Sequence, residues 1–283
     1  MKKNRIISAL ALVLFLSGIG LVLYPSVSNW VNKKNSTQAF VKYDKVVSEI
    51  NNSDYEKMID EAVEHNKIIQ KAGSLGAAVY MENENGQSTY NKLLNPLNNG
   101  MMACISIPKI NASLPVYHTT EESVLQASAG HYVGSSLPVG GESTHCVITG
   151  HRGLPSARLF TDLDLLEKGD IFYIDVLGSK LAYQVDQIKT VLPDIEKELD
   201  IIEGEDYVTL VTCTPYSVNT HRLLVRGTRI PYQEEVEIKA VEEANDRLKT
   251  ETLQRVILVI CSMSVVFGIT ILIAGKLKSK KYS

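Results

Sequence analysis

The chain has 283 residues, a net charge of −3 and 22% charged residues. That length supports one or two domains with a real core. The near-neutral balance excludes the general electrostatic attraction that nucleic-acid binding requires, so no nucleic acid is expected as a partner. The charges are unevenly spread, however, and two long segments carry none.

The first uncharged segment follows a short basic tail, residues 1–5, with Lys2, Lys3 and Arg5. It is Ile6–Tyr24, whose 19 residues are long enough to cross a bilayer core of ~30 Å as a helix. A cleavable signal peptide is the alternative, with Ser26–Ser28 as a small-residue cleavage site. The apolar run exceeds the usual signal core of ~7–15 residues, which favours an uncleaved anchor. The second segment is Val256–Gly275, followed by Lys276, Lys278, Lys280 and Lys281. The positive-inside rule places both ends in the cytoplasm and everything between them outside, as a hairpin of two transmembrane helices.

Residues 25–100 read as a helical extension followed by an irregular linker. A helix is expected over about Gln38–Ile50, with Phe40, Tyr43, Val47 and Ile50 on its apolar stripe. A second begins at Ser53, where Ser53 and Glu56 have capping-box spacing, and Gly73 marks its end. Tyr55, Met58, Ile59, Ala62, Val63 and Ile69 fall on one face of it. Residues 74–100 are broken by Asn, Gly and Ser and read as a linker or cover.

From 101 to 231 the signal changes to short strands and turns. "CISIPKI", "HCVITG", the hairpin "IFYIDVLGSKLAYQVDQIKTVLP" with its turn at "LGSK", and the pair "YVTLVTC" and "RLLVRGTRI" suggest a mainly-β fold closed into a barrel. "LFTDLDLLEKGD" has room for a short helical turn. Residues 232–255 read as a charged stalk leading to the transmembrane segment 256–275 and a basic cytoplasmic tail, 276–283.

The cysteines are Cys104, Cys146, Cys213 and Cys261. Three outside the membrane is an odd count, too few for a disulfide framework, and neither CxxC nor a His-rich spacing marks a metal site. Cys146 reads as a core residue; a Cys104–Cys146 bridge is the alternative. Cys213 ends one strand and Arg222 begins the next after an eight-residue loop, Thr214–His221. Antiparallel pairing would bring the two to one rim. A guanidinium there keeps its charge and its five donors, and can favour a thiolate or hold an oxyanion. A thiol also needs a group that handles protons. His151, in the glycine-flanked "ITGHRGLPS", is the leading candidate. His221 abuts Arg222 and competes; His131 reads as structural; His65, His118 and His145 lie on a helix or beside strands.

"TLVTC" followed by Arg222 resembles the signature of sortases, the cysteine transpeptidases of Gram-positive bacterial surfaces. "ITGHRGLPSARLF", "GSSLPVGG" and "TPYSVNTHRLLVRG" are similar to the class C, pilus-assembling branch. The resemblance spans about Met101–Tyr232 and implies an eight-stranded β-barrel. It implies that Cys213 attacks the Thr–Gly bond of an LPxTG-like sorting signal to form a thioacyl enzyme. His151 would act as acid and then base, and Arg222 would position substrate and stabilise the oxyanion. The acceptor would be a lysine side-chain amine on another pilin, and neither organic cofactor nor metal is required. Two departures stand out. Residues 35–107 lack the Asp-Pro-aromatic lid motif usual in the class, and Ser217 stands where "TPYG" often has glycine. The competing readings are a cell-wall-anchoring sortase, which uses a peptidoglycan-precursor amine, and a non-catalytic membrane-anchored binding barrel.

Overall fold

The computed structural model describes residues 2–82, 89–193 and 197–250, with 253, 254 and 257. The chain divides into two units, Met1–Glu234 and Glu235–Ser283. The second is helical over 235–250. The first holds eight strands: β1 (Met101–Ile107), β2 (Ala112–Tyr117), β3 (Ala129–His131), β4 (Thr144–Thr149), β5 (Ile171–Val176), β6 (Ser179–Val191), β7 (Asp206–Thr214) and β8 (His221–Ile230). They close into a barrel in the order β1-β2-β3-β4-β7-β8-β6-β5. Two of the pairings, β2 with β3 and β4 with β7, are parallel. The expected closed eight-stranded, mainly-β barrel is what forms, and the β5–β6 hairpin turns at residues 177–178.

Period-2 alternation separates two faces of the wall. Val208 and Leu210 of β7 join Ile105, Ile148, Phe172, Ile174, Tyr183 and Val225 in the main core. Val211, together with Val147 of β4 and Leu224 of β8, forms a second cluster, capped by Val191 and Leu199. Cys146 faces the main core, and it, Cys104 and Cys213 are all free thiols.

Helices α1 (Lys2–Glu49) and α2 (Asn52–Glu82) precede the barrel. Fully buried Tyr43 docks α1 on the barrel: its hydroxyl donates to the Met102 carbonyl (2.9 Å) and accepts from the Leu177 N–H (2.8 Å). Val47, Ile50, Tyr55, Met58 and Ile59 pack on the same core, as their helical spacing predicts. Three local expectations fail. The cap of α2 is Asn51, whose side chain accepts from the Asp54 N–H (2.9 Å), rather than Ser53. Gly73 does not stop α2, and the helix runs into the stretch expected to be irregular. A glycine ends a helix only where the chain turns left-handed, and packing elsewhere outweighs its propensity of about 1 kcal/mol.

Among the described residues no helix is long and apolar enough to cross a membrane. Ile6–Tyr24 forms the front of α1. Val256–Gly275 lies outside the described residues.

A buried polar node joins the extension to the barrel. Tyr90 donates from its hydroxyl to His131 Nδ1 (2.8 Å) and accepts from the Thr119 N–H (3.3 Å). His131 Nε2 donates to the Ser136 carbonyl (2.9 Å), which fixes a neutral tautomer. His118 Nδ1 donates to the Gly100 carbonyl (2.8 Å), and the His118 ring meets Tyr90 edge-on at 4.8 Å. His65 of α2 lies 6.2 Å from Tyr90 between ring centroids. Burial pushes His65 down to about 4 and His131 to about 3, and it lowers His118 as well. In the unfolded chain these imidazoles titrate near 6.5. Their contribution is therefore complete above pH ~6.5 and is lost as the pH falls towards about 4, because the unfolded chain binds the protons first. Thermal unfolding should show a constant Tm from pH 7 to 8 and a steep fall between 6.5 and 4.5. Tyr90→Phe should cost about 1–3 kcal/mol, because it leaves buried polar groups unpaired. A flat Tm across the acid range would contradict neutral burial of these rings.

Candidate active site

The strand register builds the site. On β4 and β7 Val147 lies beside Thr209 and Thr149 beside Val211; on β7 and β8 Thr209 lies beside Arg226, Val211 beside Leu224 and Cys213 beside Arg222. Successive rows along this face are thus Val147–Thr209–Arg226 and Thr149–Val211–Leu224. The next row holds Cys213 and Arg222. β4 ends at Thr149, but the chain stays attached one step further: the Gly150 N–H donates to the Val211 carbonyl (3.1 Å) and Thr212 Oγ1 donates to the Gly150 carbonyl (2.7 Å). His151 follows immediately, two residues beyond Thr149, as Cys213 is two beyond Val211. The three candidates, His151, Cys213 and Arg222, come together at one end of three adjacent strands, and all three are half-buried. The connection from β7 to β8 is shorter than expected, because Thr214 and His221 pair as strand residues and only 215–220 form the loop.

Gly150 is required by close packing. A Cβ there would sit 2.7 Å from the Phe160 ring. The Phe160 N–H donates to the His151 carbonyl (3.1 Å), so the segment after the histidine folds back beneath it. His151 Nε2 lies 3.2 Å from Glu122 Oε2, on the one-turn helix α3 (Glu122–Leu125). Hydrogen bonds from Gln126 and His151 hold the Glu122 carboxyl below the usual carboxylate range. Arg222 Nη1 donates to the carbonyls of Asn219 (3.3 Å) and His221 (3.2 Å).

The remaining histidines have other partners. His145 is bonded to Thr209 Oγ1 (2.7 Å) and the Asp200 carbonyl (2.9 Å), His221 to Thr220 (2.9 Å), and His65, His118 and His131 belong to the buried node. Glu122 escaped the sequence reading, because "TTEES" has no spacing that points to a histidine 29 residues away. Among the described residues no group of three or more His, Cys, Asp or Glu is placed to hold a metal ion.

A family model described as the sortase domain matches residues 105–230. The crystal structure of sortase C1 from Streptococcus agalactiae is 50% identical to this chain, with a TM-score of 0.66, over 69% of this chain and 100% of that one. Sortase C-1 from Actinomyces oris is 48% identical with a TM-score of 0.50, over 52% and 82%. Sortase A of Bacillus anthracis is 27% identical over 80% of this chain and 96% of its own length. The chain belongs to the sortase family. Its structural likeness is to class C members, and as a sortase it is a transpeptidase.

The loop that follows Cys213 in this sortase departs from glycine at Ser217, and the backbone shows the consequence. Ser217 has φ +66°, in the left-handed region that glycine enters freely and other residues enter at a cost. The loop holds this shape through donation from the Val218 and Asn219 N–H groups to the Pro215 carbonyl, both at 3.0 Å. Ser217→Gly should therefore be at least as stable as the wild type in chemical denaturation, whereas Ser217→Val should lose about 1–2 kcal/mol. Equal stability of the two variants would place the strain elsewhere.

Proposed function

We propose that this sortase polymerises pilins from an anchored position on the outer face of the membrane. Cys213 Sγ attacks the threonine carbonyl of an LPxTG-like sorting signal, and the tetrahedral oxyanion that forms is met by the Arg222 guanidinium. Protonated His151 gives its proton to the departing glycine amine, the C–N bond breaks and a thioacyl enzyme remains. A pilin lysine amine then attacks the thioester carbon and loses a proton to His151. The Cys213 thiolate leaves, and an isopeptide bond joins the two subunits. The observation that carries this reading is the direct pairing of Cys213 with Arg222 in the β7–β8 register, with His151 at the end of the neighbouring strand.

Membrane attachment through Ile6–Tyr24 and Val256–Gly275 completes the proposal. Leu16, Leu21, Val22 and Leu23 are exposed along α1 and have no protein surface to cover them. Exposed Trp30, with Lys34 Nζ 5.6 Å from its ring centre, follows them as an interfacial aromatic would.

The test is competition between acceptors. With a sorting-signal peptide, a pilin lysine and a peptidoglycan-like amine in one reaction, mass spectrometry should find the isopeptide to the pilin lysine as the main product. Product on the wall-like amine alone would assign the enzyme to wall anchoring. Cys213→Ala should lower turnover by on the order of 10³-fold or more, and Arg222→Ala by about 10²–10³-fold. A thiol-reactive probe on the native protein should label Cys213 and spare Cys146, which is buried, and Cys104, whose thiol burial pushes well above the ordinary range. A native Cys213 that reacts only after unfolding would leave the binding-barrel reading standing.

A further inference from the structure

Arg152, the residue after His151, is charged yet its side chain is only 8% exposed. Its three contacts reach two separate segments. One guanidinium arm pairs with Asp164, in the short 3-10 turn (Leu163–Leu165) that follows Phe160 beneath the His151 segment. The other arm, Nη1, donates to Thr214 Oγ1 at 3.3 Å, and Thr214 is the residue after Cys213. The guanidinium carbon also lies 5.9 Å from the centre of the Tyr216 ring, further along the same loop. The neighbouring Gly153 (φ +81°) brings its backbone so close to Tyr216 that a Cβ would sit 3.1 Å from the ring. The Gly153 N–H is held from beneath by Thr161 Oγ1 (3.2 Å).

Stability does not account for this residue. Among the described residues its Nε is buried without a hydrogen-bond partner, which costs free energy, and the Asp164 carboxylate it pairs with is exposed, so the ion pair contributes little. What the planar guanidinium supplies is geometry, because its fixed fork sets the distance between whatever it holds. Here the guanidinium, carried by the residue after His151, holds the side chain of Thr214, the residue after Cys213. Since β4 ends at Thr149, no strand ladder does this at that level.

We infer that Arg152 is a positioning residue for transpeptidation, bracing the His151 segment against the loop after Cys213 so that imidazole and thiol keep a productive separation. The inference rests on the proposed roles of those two residues. It predicts damage to turnover and not to recruitment of the sorting signal. The guanidinium contacts Asp164, Thr214 and Tyr216, and a displacement of about 1 Å in what it positions costs on the order of 10²-fold in rate.

The test uses the full chain and an LPxTG-like peptide with an amine acceptor. Arg152→Gln should lower kcat by about 30–100-fold with KM within about twofold, while the Cys213 thiol still alkylates. Arg152→Lys keeps the charge facing Asp164 but loses the fork, and it should recover part of kcat. A kcat for Arg152→Gln within about threefold of wild type overturns the inference, as does a loss seen only as a rise in KM. If Arg152→Gln does not fold, Thr214→Val decides: a threefold or larger fall in kcat at unchanged KM supports the brace, and an unchanged kcat overturns it. Cys213→Ala runs alongside. If that variant stays active, the site assignment falls and takes the inference with it. If it is inactive while Arg152→Gln is normal, the inference alone falls.

Discussion

The hydrogen-bond register of β4, β7 and β8 is the constraint on which the rest of the molecule depends. Side chains alternate along a strand, so a slip of one residue would send an entire row to the opposite face. Here the slip is blocked from both sides of the wall. Val208 and Leu210 are committed to the main core, and Val211 is committed to the cluster with Val147 and Leu224. With those positions fixed, Cys213 has to lie on the face of Val211, directly beside Arg222. The apolar rows thus determine where the polar row falls. The parallel pairing of β4 with β7 matters equally, because it brings the carboxyl ends of both strands to the same edge.

The N-terminal helices reinforce that wall from a distance. Tyr43 ties α1 to β1 and to the β5–β6 turn, and Asn66 of α2 makes a double hydrogen bond with the backbone of Leu137 (2.7 and 3.2 Å). Leu137 lies in the segment between β3 and β4, upstream of His151. The Tyr90 node adds a third attachment at His118 and His131, at the ends of β2 and β3. All three attachments use buried polar groups with specific partners. Such contacts fix one arrangement, whereas an apolar interface would tolerate several.

Much of this was legible in the sequence where a pattern repeats. The helical spacing of Tyr43, Val47, Ile50, Met58 and Ile59 identified the buried face of the extension, and the short alternating runs identified the barrel. Cys213 and Arg222 could be paired before any coordinates, because two strand-like runs joined by a tight loop have few ways to meet. Other features carry no local signal. β3 has three residues, too few to show alternation, and it exists because β2 and β4 leave a place between them. Gly73 reads as a helix stop only if tertiary packing is ignored. The approach of Glu122 to His151, and of Arg152 to Thr214, depends on how loops 29 and 62 residues distant fold back. No periodicity encodes that distance.

The treatment of charge along the barrel separates Arg222 from its neighbours. Arg152 faces Asp164, Arg158 faces Asp162, Arg226 faces Asp186 and Arg229 approaches Asp206 at 3.9 Å. Each of these guanidinium groups has a carboxylate partner, and all but the local Arg158–Asp162 pair bridge separate segments. Among the described residues no carboxylate pairs with Arg222, and its recorded contacts are two backbone carbonyls reached through Nη1. Backbone carbonyls orient the group without cancelling its charge. A carboxylate in that place would hold the donors in the resting state and would have to be displaced by each substrate. Leaving the charge without one, in the row that contains the thiol, would keep donors ready, in the proposed reaction, for an oxygen that becomes negative only during acyl transfer. Within β8 itself the contrast is direct: Arg226 and Arg229 face carboxylates and hold the barrel, and Arg222, which would serve acyl transfer, does not.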